Sequence, residues 1–103
     1  MSSSLNMVKT GKFSGNGTTK KIVLGFKPRE VRLFNEAAGG LTEAWKTDTM
    51  DTSKAMKRIP AGTTTFPANM VTLNSDGFTV GNDADLNAAG ELIHYVAYEG
   101  KND

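Results

Sequence analysis

Residues 20–34 read KKIVLGFKPREVRLF, two extended stretches separated by a tight corner. Ile22, Leu24 and Phe26 recur at every second position, as do Val31 and Leu33 after the corner, and on a strand such residues share one face. That face is predicted to be core. Pro28 fixes its own φ and biases Lys27 away from helix. Gly25 removes a side chain where the strand must bend or admit another backbone. The stretch specifies β structure, and the chain on either side extends it.

Towards the N-terminus, residues 1–4 are small and polar and are expected to form a loose arm. Residues 5–13, LNMVKTGKF, suggest a strand with a bulge near Gly11. Asn16-Gly17, inside SGNGTT at 14–19, is a strong hairpin signal because both residues tolerate positive φ. The first strand is therefore expected to pair antiparallel with Lys21–Phe26.

Towards the C-terminus, NEAAGG at 35–40 is read as a turn, and Leu41–Lys46 runs back as a strand with Trp45 on the face opposite Thr42 and Ala44. Residues 47–68 are rich in cap and turn residues; a helical turn over Thr52–Arg58 and a short strand over Ala55–Ile59 are both open, and the strand is favoured. Met70–Leu73 and Gly77–Val80 form a second hairpin, and GNDADLNAAG at 81–90 is a loop. In Glu91–Glu99, Leu92, His94, Val96 and Tyr98 lie on one face and Ile93, Tyr95 and Ala97 on the other, and both faces are largely apolar. Such a strand belongs inside a sheet whose outer face is also covered, by a loop or another subunit. Seven or eight short strands with no amphipathic helix predict an all-β, antiparallel sandwich or jelly-roll-like fold.

The length of 103 residues fits a single domain, residues 1–103. Twelve basic and eleven acidic residues give a net charge of +1, with short basic pairs at 20–21 and 57–58. That distribution offers no electrostatic footprint for nucleic acid. The absence of cysteine excludes disulfides and thiolate metal sites and fits a reducing compartment. The first residues lack the basic-then-apolar order of a signal peptide, and no apolar run approaches the ~20 residues needed to span a bilayer. A soluble chain made without a cleaved leader, with no membrane partner, is the expectation.

Catalytic chemistry finds little footing. Asp83, Asp85 and Asn87 occupy the first, third and fifth places of a calcium loop, but Ala88 stands where the turn needs glycine and His94 where a bidentate glutamate is needed. His94 is the single histidine, which leaves no paired-histidine metal site and no Ser-His-Asp arrangement. Glu30, Glu36, Glu43 and Glu91 are not paired by any sequence feature, and the glycines follow turn logic instead of a phosphate-binding pattern. The reading is a protein without enzyme activity, cofactor or metal. Met50, Met56 and Phe66 are apolar groups on a polar segment that would need covering if exposed together. With Trp45, His94 and Tyr95 they are the candidate interface residues.

The order of short motifs carries one further reading. GNGTTKKI at 15–22, LGFKPREVRL at 24–33, Trp45, SKAMK at 53–57, SDGFTVG at 75–81 and LNAAGELIHYVAY at 86–98 resemble a family of small phage-encoded β modules. These modules carry a glycine turn, G-F-x-P-x-x-V, a mid-chain Trp, D-G-F-x-V and N-x-x-G-x-x-x-x-Y-x-A-[YF], and occur in head-associated and tail-fibre proteins of virions. The resemblance implies a structural virion protein, made in the host cytoplasm. A capsid decoration or cement protein, bound to the major capsid protein or another virion protein as a dimer or trimer, is the leading expectation. A tail or neck component, or a receptor- or carbohydrate-binding fibre module using Trp45 or the tyrosines, is the alternative. A chain running from Met1 to Asp103 without a stalk-like repeat favours decoration.

Overall fold

The computed structural model describes residues 7–37 and 42–100. The expected N-terminal arm, residues 5 and 6 of the first strand, residues 38–40 of the 35–40 turn and Leu41 of the following strand lie outside them. Nine strands follow in chain order: β1 (Val8–Ser14), β2 (Lys20–Val23), β3 (Glu30–Asn35), β4 (Thr42–Thr47), β5 (Met56–Arg58), β6 (Thr64–Thr65), β7 (Val71–Asn74), β8 (Gly77–Val80) and β9 (Leu92–Tyr98). They form two antiparallel sheets, one in the order β1-β9-β3-β4-β5-β6 and one in the order β2-β8-β7. No helix occurs among the described residues. The all-β sandwich expectation holds, and the count exceeds seven or eight through short pieces such as the two-residue β6.

The inner faces meet where the period-2 pattern puts them. Val31 and Leu33 of β3, Ile93, Tyr95 and Ala97 of β9, Ala44 of β4 and Phe13 of β1 pack against Phe78 and Val80 of β8, Val71 of β7 and Leu24. The ring of Phe78, fully buried, meets Tyr95 edge-on with centroids 5.4 Å apart. Burying a ring of this size stabilises by about 2–3 kcal/mol, and the edge-to-face arrangement adds to it. Gly11 leaves room for Tyr95: a Cβ there would come within 2.6 Å of the phenolic oxygen.

The opening stretch folds as read, with one addition: its two strands belong to different sheets. β2 ends at Val23, and Leu24 and Gly25 donate their N–H groups to the Asp76 carbonyl at 2.7 and 3.0 Å. Gly25, at φ +90°, then turns the chain across to β3.

The expected hairpin at Asn16-Gly17 does not form. β1 pairs along its whole length with β9, while β2 pairs with β8. A type I′ hairpin turn needs positive φ at both central residues, and only Gly17, at +75°, has it. The turn is tied instead to the loop before β9. Gly15 N–H donates to the Glu91 carbonyl at 2.8 Å, Gly17 N–H to the Asn87 carbonyl at 2.8 Å, and Asn16 N–H to Asn87 Oδ1 at 2.9 Å. Asn87, fully buried, also donates through Nδ2 to the Thr18 carbonyl and, at 2.9 Å, to the Gly81 carbonyl. These bonds turn 15–19 into a corner between sheets.

Candidate functional site

The most distinctive surface is the outer face of the six-stranded sheet. Alternation places Val8, Thr10 and Lys12 of β1, Leu92, His94, Val96 and Tyr98 of β9, Arg32 and Phe34 of β3, Glu43 and Trp45 of β4 and Met56 of β5 on it, in register across the ladder. Leu92 is 45% exposed and Val8 57%, while His94, Val96, Tyr98, Phe34, Trp45 and Met56 are half-buried by one another. Among the described residues no second layer covers this face. A groove of about 540 Å³ runs along it, lined by Thr10, Lys12, Phe34, Glu36, His94 and Val96.

Polar contacts fix its aromatic groups. Glu30 Oε2 accepts the Trp45 indole N–H at 2.6 Å and the Arg32 Nε–H at 3.1 Å. The Arg32 guanidinium lies 5.3 Å from the Trp45 ring centroid, a cation–π arrangement. The Phe34 and His94 rings lie tilted by 33° with centroids 6.4 Å apart, and His94 Nε2 lies 3.2 Å from Glu36 Oε1. Arg58 pairs with Glu43 at 3.9 Å. The face thus combines apolar and aromatic groups with ion pairs of Glu30 with Arg32 and Glu43 with Arg58, and a hydrogen bond between Glu36 and His94.

Two oxygen-lined sites lie on the other side of the same sheet, and each is filled by a lysine. Lys57 Nζ sits 2.9 Å from Asp83 Oδ1 and 2.8 Å from Asp85 Oδ2. Asp83 Oδ2 accepts the N–H groups of Asp85 at 3.0 Å and Leu86 at 2.9 Å. The failed calcium loop therefore surrounds an ammonium. Burial pulls Lys57 down, but hydrogen bonds and charges from Asp85 and Asp83 more than offset it and hold its pKa above the ordinary value. Lys46, on the inner face of β4 and only 2% exposed, donates to the carbonyls of Asp51, Thr52 at 3.1 Å and Lys54 at 2.7 Å. Burial lowers its pKa, with the Asp51 charge opposing. No group of three or more metal-binding side chains occurs among the described residues.

The candidate interface residues do not form one patch. Trp45, Met56 and His94 share the outer face. Met50 lines a separate cleft of about 210 Å³ with Lys27, Lys46, Asp48 and Thr52. Phe66, 55% exposed, lies just beyond the edge strand β6. The common patch of Met50, Met56 and Phe66 is therefore corrected: β5 turns Met56 towards Trp45, and the loops on either side carry the other two elsewhere. Tyr95 is corrected as well; its ring belongs to the core, on the face of β9 opposite His94. Sequence reasoning passed over Lys12, Arg32, Phe34 and Glu36, although Arg32 and Phe34 alternate with core residues 31 and 33 and so belonged to the opposite face by period alone. No protein family, curated protein or solved structure matches the chain.

Proposed function

We propose that this chain is a non-catalytic structural module of a virus particle, a capsid decoration protein held to other protein chains through the outer face of its large sheet. The observation that carries the proposal is that face: aromatic, Met and Arg side chains on rigid strands, the composition of an interface core, with no covering layer among the described residues. The ordered resemblance to phage β modules supplies the virion setting. Its residues Phe26, Pro28, Phe78 and Tyr95 are buried, so they specify the sandwich and leave the outer face to select the partner.

A glycan platform is the weaker reading. Stacking a sugar needs a bare ring, and Trp45 has Arg32 over one face and its indole N–H bonded to Glu30. The decoration reading is tested by adding the purified chain to phage heads lacking it, followed by sedimentation and reconstruction. Density for the chain on the shell, and a melting temperature higher on particles than free, are expected from linkage. A Val96→Glu variant should stay folded and fail to sediment with heads. A chain that ignores heads in this assay, or that melts at the same temperature free and bound, would refute the proposal.

A further inference from the structure

We infer that Asn16 is a modification site of this chain, a deamidation centre held closed by its corner with Asn87 and released when that corner opens. The inference concerns the chain itself and does not depend on what its outer face binds. Asn16 is the one asparagine of the sequence followed by glycine. Glycine has no side chain to shield its nitrogen, so in such a pair the asparagine carboxamide condenses most readily with the backbone that follows it.

The reaction needs only the chain and water. The Gly17 amide loses its proton and its nitrogen attacks Asn16 Cγ; the bond from Cγ to Nδ2 breaks, and Nδ2 leaves as ammonia with a proton in place of the lost bond. Water then opens the cyclic imide. Opening at one carbonyl gives aspartate. Opening at the other gives isoaspartate, whose main chain runs through Cγ and is longer by a methylene.

In the folded chain every group that must move is engaged. Gly17 N–H donates to the Asn87 carbonyl at 2.8 Å, so the proton that must leave is held. Asn16 Oδ1 accepts the Thr18 N–H at 2.9 Å and the Thr18 hydroxyl at 3.2 Å, and Nδ2, the leaving group, donates to the Thr19 carbonyl at 3.3 Å. Bonds at both ends restrain the carboxamide from turning towards the Gly17 nitrogen. Asn87, fully buried, grips the pair from either side: its Oδ1 accepts the Asn16 N–H at 2.9 Å and its Nδ2 donates to the Thr18 carbonyl. Asn16 and Gly17 are themselves exposed, so water reaches the imide once it forms. Hydrogen bonds, not burial, keep the site closed.

Release through isoaspartate is one-way. The N–H groups of Asn16 and Gly17 both bond to Asn87, one to its side chain and the other to its main chain, at the spacing of adjacent residues. Isoaspartate inserts a methylene between those two N–H groups, so the two bonds no longer fit together. Aspartate keeps the spacing and the acceptor for Thr18. The isoaspartyl product therefore frees residues 15–19, the link between the two sheets, from the loop before β9.

Hydrogen exchange at Gly17 and closure of the imide begin with the same step, departure of the Gly17 N–H from Asn87 and loss of its proton to base, so folding should slow both. Intact-mass spectrometry with peptide mapping, at mildly alkaline pH, reads the reaction as a gain of about 1 Da per event. In urea strong enough to unfold the chain, the first gain should map to Asn16. In the folded chain that gain, and exchange at Gly17, should each be slower by about 10-fold or more. Asn87→Ala should raise the folded-chain rate at Asn16 by more than about 5-fold and leave the other asparagines unchanged, which separates opening of the corner from global unfolding. If circular dichroism finds that variant unfolded, the wild-type mass and exchange data decide. The isoaspartyl fraction, separated by chromatography, should melt below the aspartyl fraction. Folded and unfolded chains reacting at the same rate overturn the inference, as does Gly17 exchanging at the unfolded rate, a first gain in urea at another asparagine, or a folded Asn87→Ala that reacts no faster than wild type. Equal melting of the two fractions overturns the one-way step.

Discussion

Replacing Lys57 by methionine tests whether the loop 81–91 depends on an internal cation. Methionine keeps the length and most of the apolar contact of the lysine stem and removes the ammonium. Asp83, with its side chain only 11% exposed, is then left beside Asp85 with no cation between them. Removing one partner of a buried pair costs about 3–5 kcal/mol, but Asp85 is 48% exposed and can turn to water, so about 2–3 kcal/mol is expected here. At about 4–8 °C per kcal/mol for a domain of this size, the midpoint should fall by about 10–20 °C in a calorimetric or circular-dichroism melt. Asp83→Asn in the same chain should recover part of the loss, because the asparagine oxygen still accepts the Asp85 and Leu86 N–H groups and carries no charge. Calcium should raise the midpoint of Lys57→Met and leave the wild type unmoved, and EDTA should change the wild type by nothing measurable. A midpoint shift below about 3 °C for Lys57→Met would refute the reasoning, since it would mean that water already screens the triad.

Three further outcomes are expected. Phe26→Ser, which puts a hydroxyl in the core, should abolish folding or cost about 3–5 kcal/mol, whereas Phe66→Ser at an exposed position should stay within about 0.5 kcal/mol of wild type by urea denaturation. Gly77→Ala should prevent folding, because its Cβ would run into the Ile22 backbone carbonyl, while Gly25→Ala, with open space but φ +90°, should cost only about 1–2 kcal/mol of backbone strain; thermal melts separate them. Because the folded pKa of Lys57 is raised, its contribution is complete below the ordinary value of 10.5 and is lost as pH rises through the folded pKa, so the stability gap between wild type and Lys57→Met should be flat from neutral pH to about 10.5 and close above it. Lys46, whose folded pKa is lowered, contributes with the opposite sign, its charged form becoming less of a burden as pH rises towards 10.5.

What could be read from the sequence and what could not divides along the range of the interaction. The faces of β9 follow from alternation, a property of the segment alone, and came out as expected, and the strand favoured over a helical turn at 55–59 forms at 56–58. The β7–β8 hairpin did too, since its two strands are neighbours in sequence. The Asn16-Gly17 turn misled because the dipeptide reports only that a turn occurs. What the flanking strands pair with is decided some 70 residues away, where Asn87 supplies acceptors and donors to residues 16–18 and where Gly15 lies flush against the Ala88 carbonyl. Local pattern carries no information on such a contact.

The two lysines show the same limit in the core. On β4 the inward positions are Thr42, Ala44 and Lys46, and on β5 the inward position is Lys57, a pattern that by composition alone belongs to a solvent face. They point inward because the small sheet is only three strands wide and cannot cover six, so loops close the remainder of the inner face. A loop brings backbone carbonyls and turn carboxylates with it, and these need donors once they leave water. Lys46 meets the carbonyls of residues 51–54, and Lys57 meets the carboxylates of residues 83 and 85. The acidic loop that fails as a calcium site and the lysine that fails as a surface residue are thus one feature read from two ends. The Lys57 ammonium, carried by a neighbouring strand, supplies the counter-charge for the carboxylates of that loop.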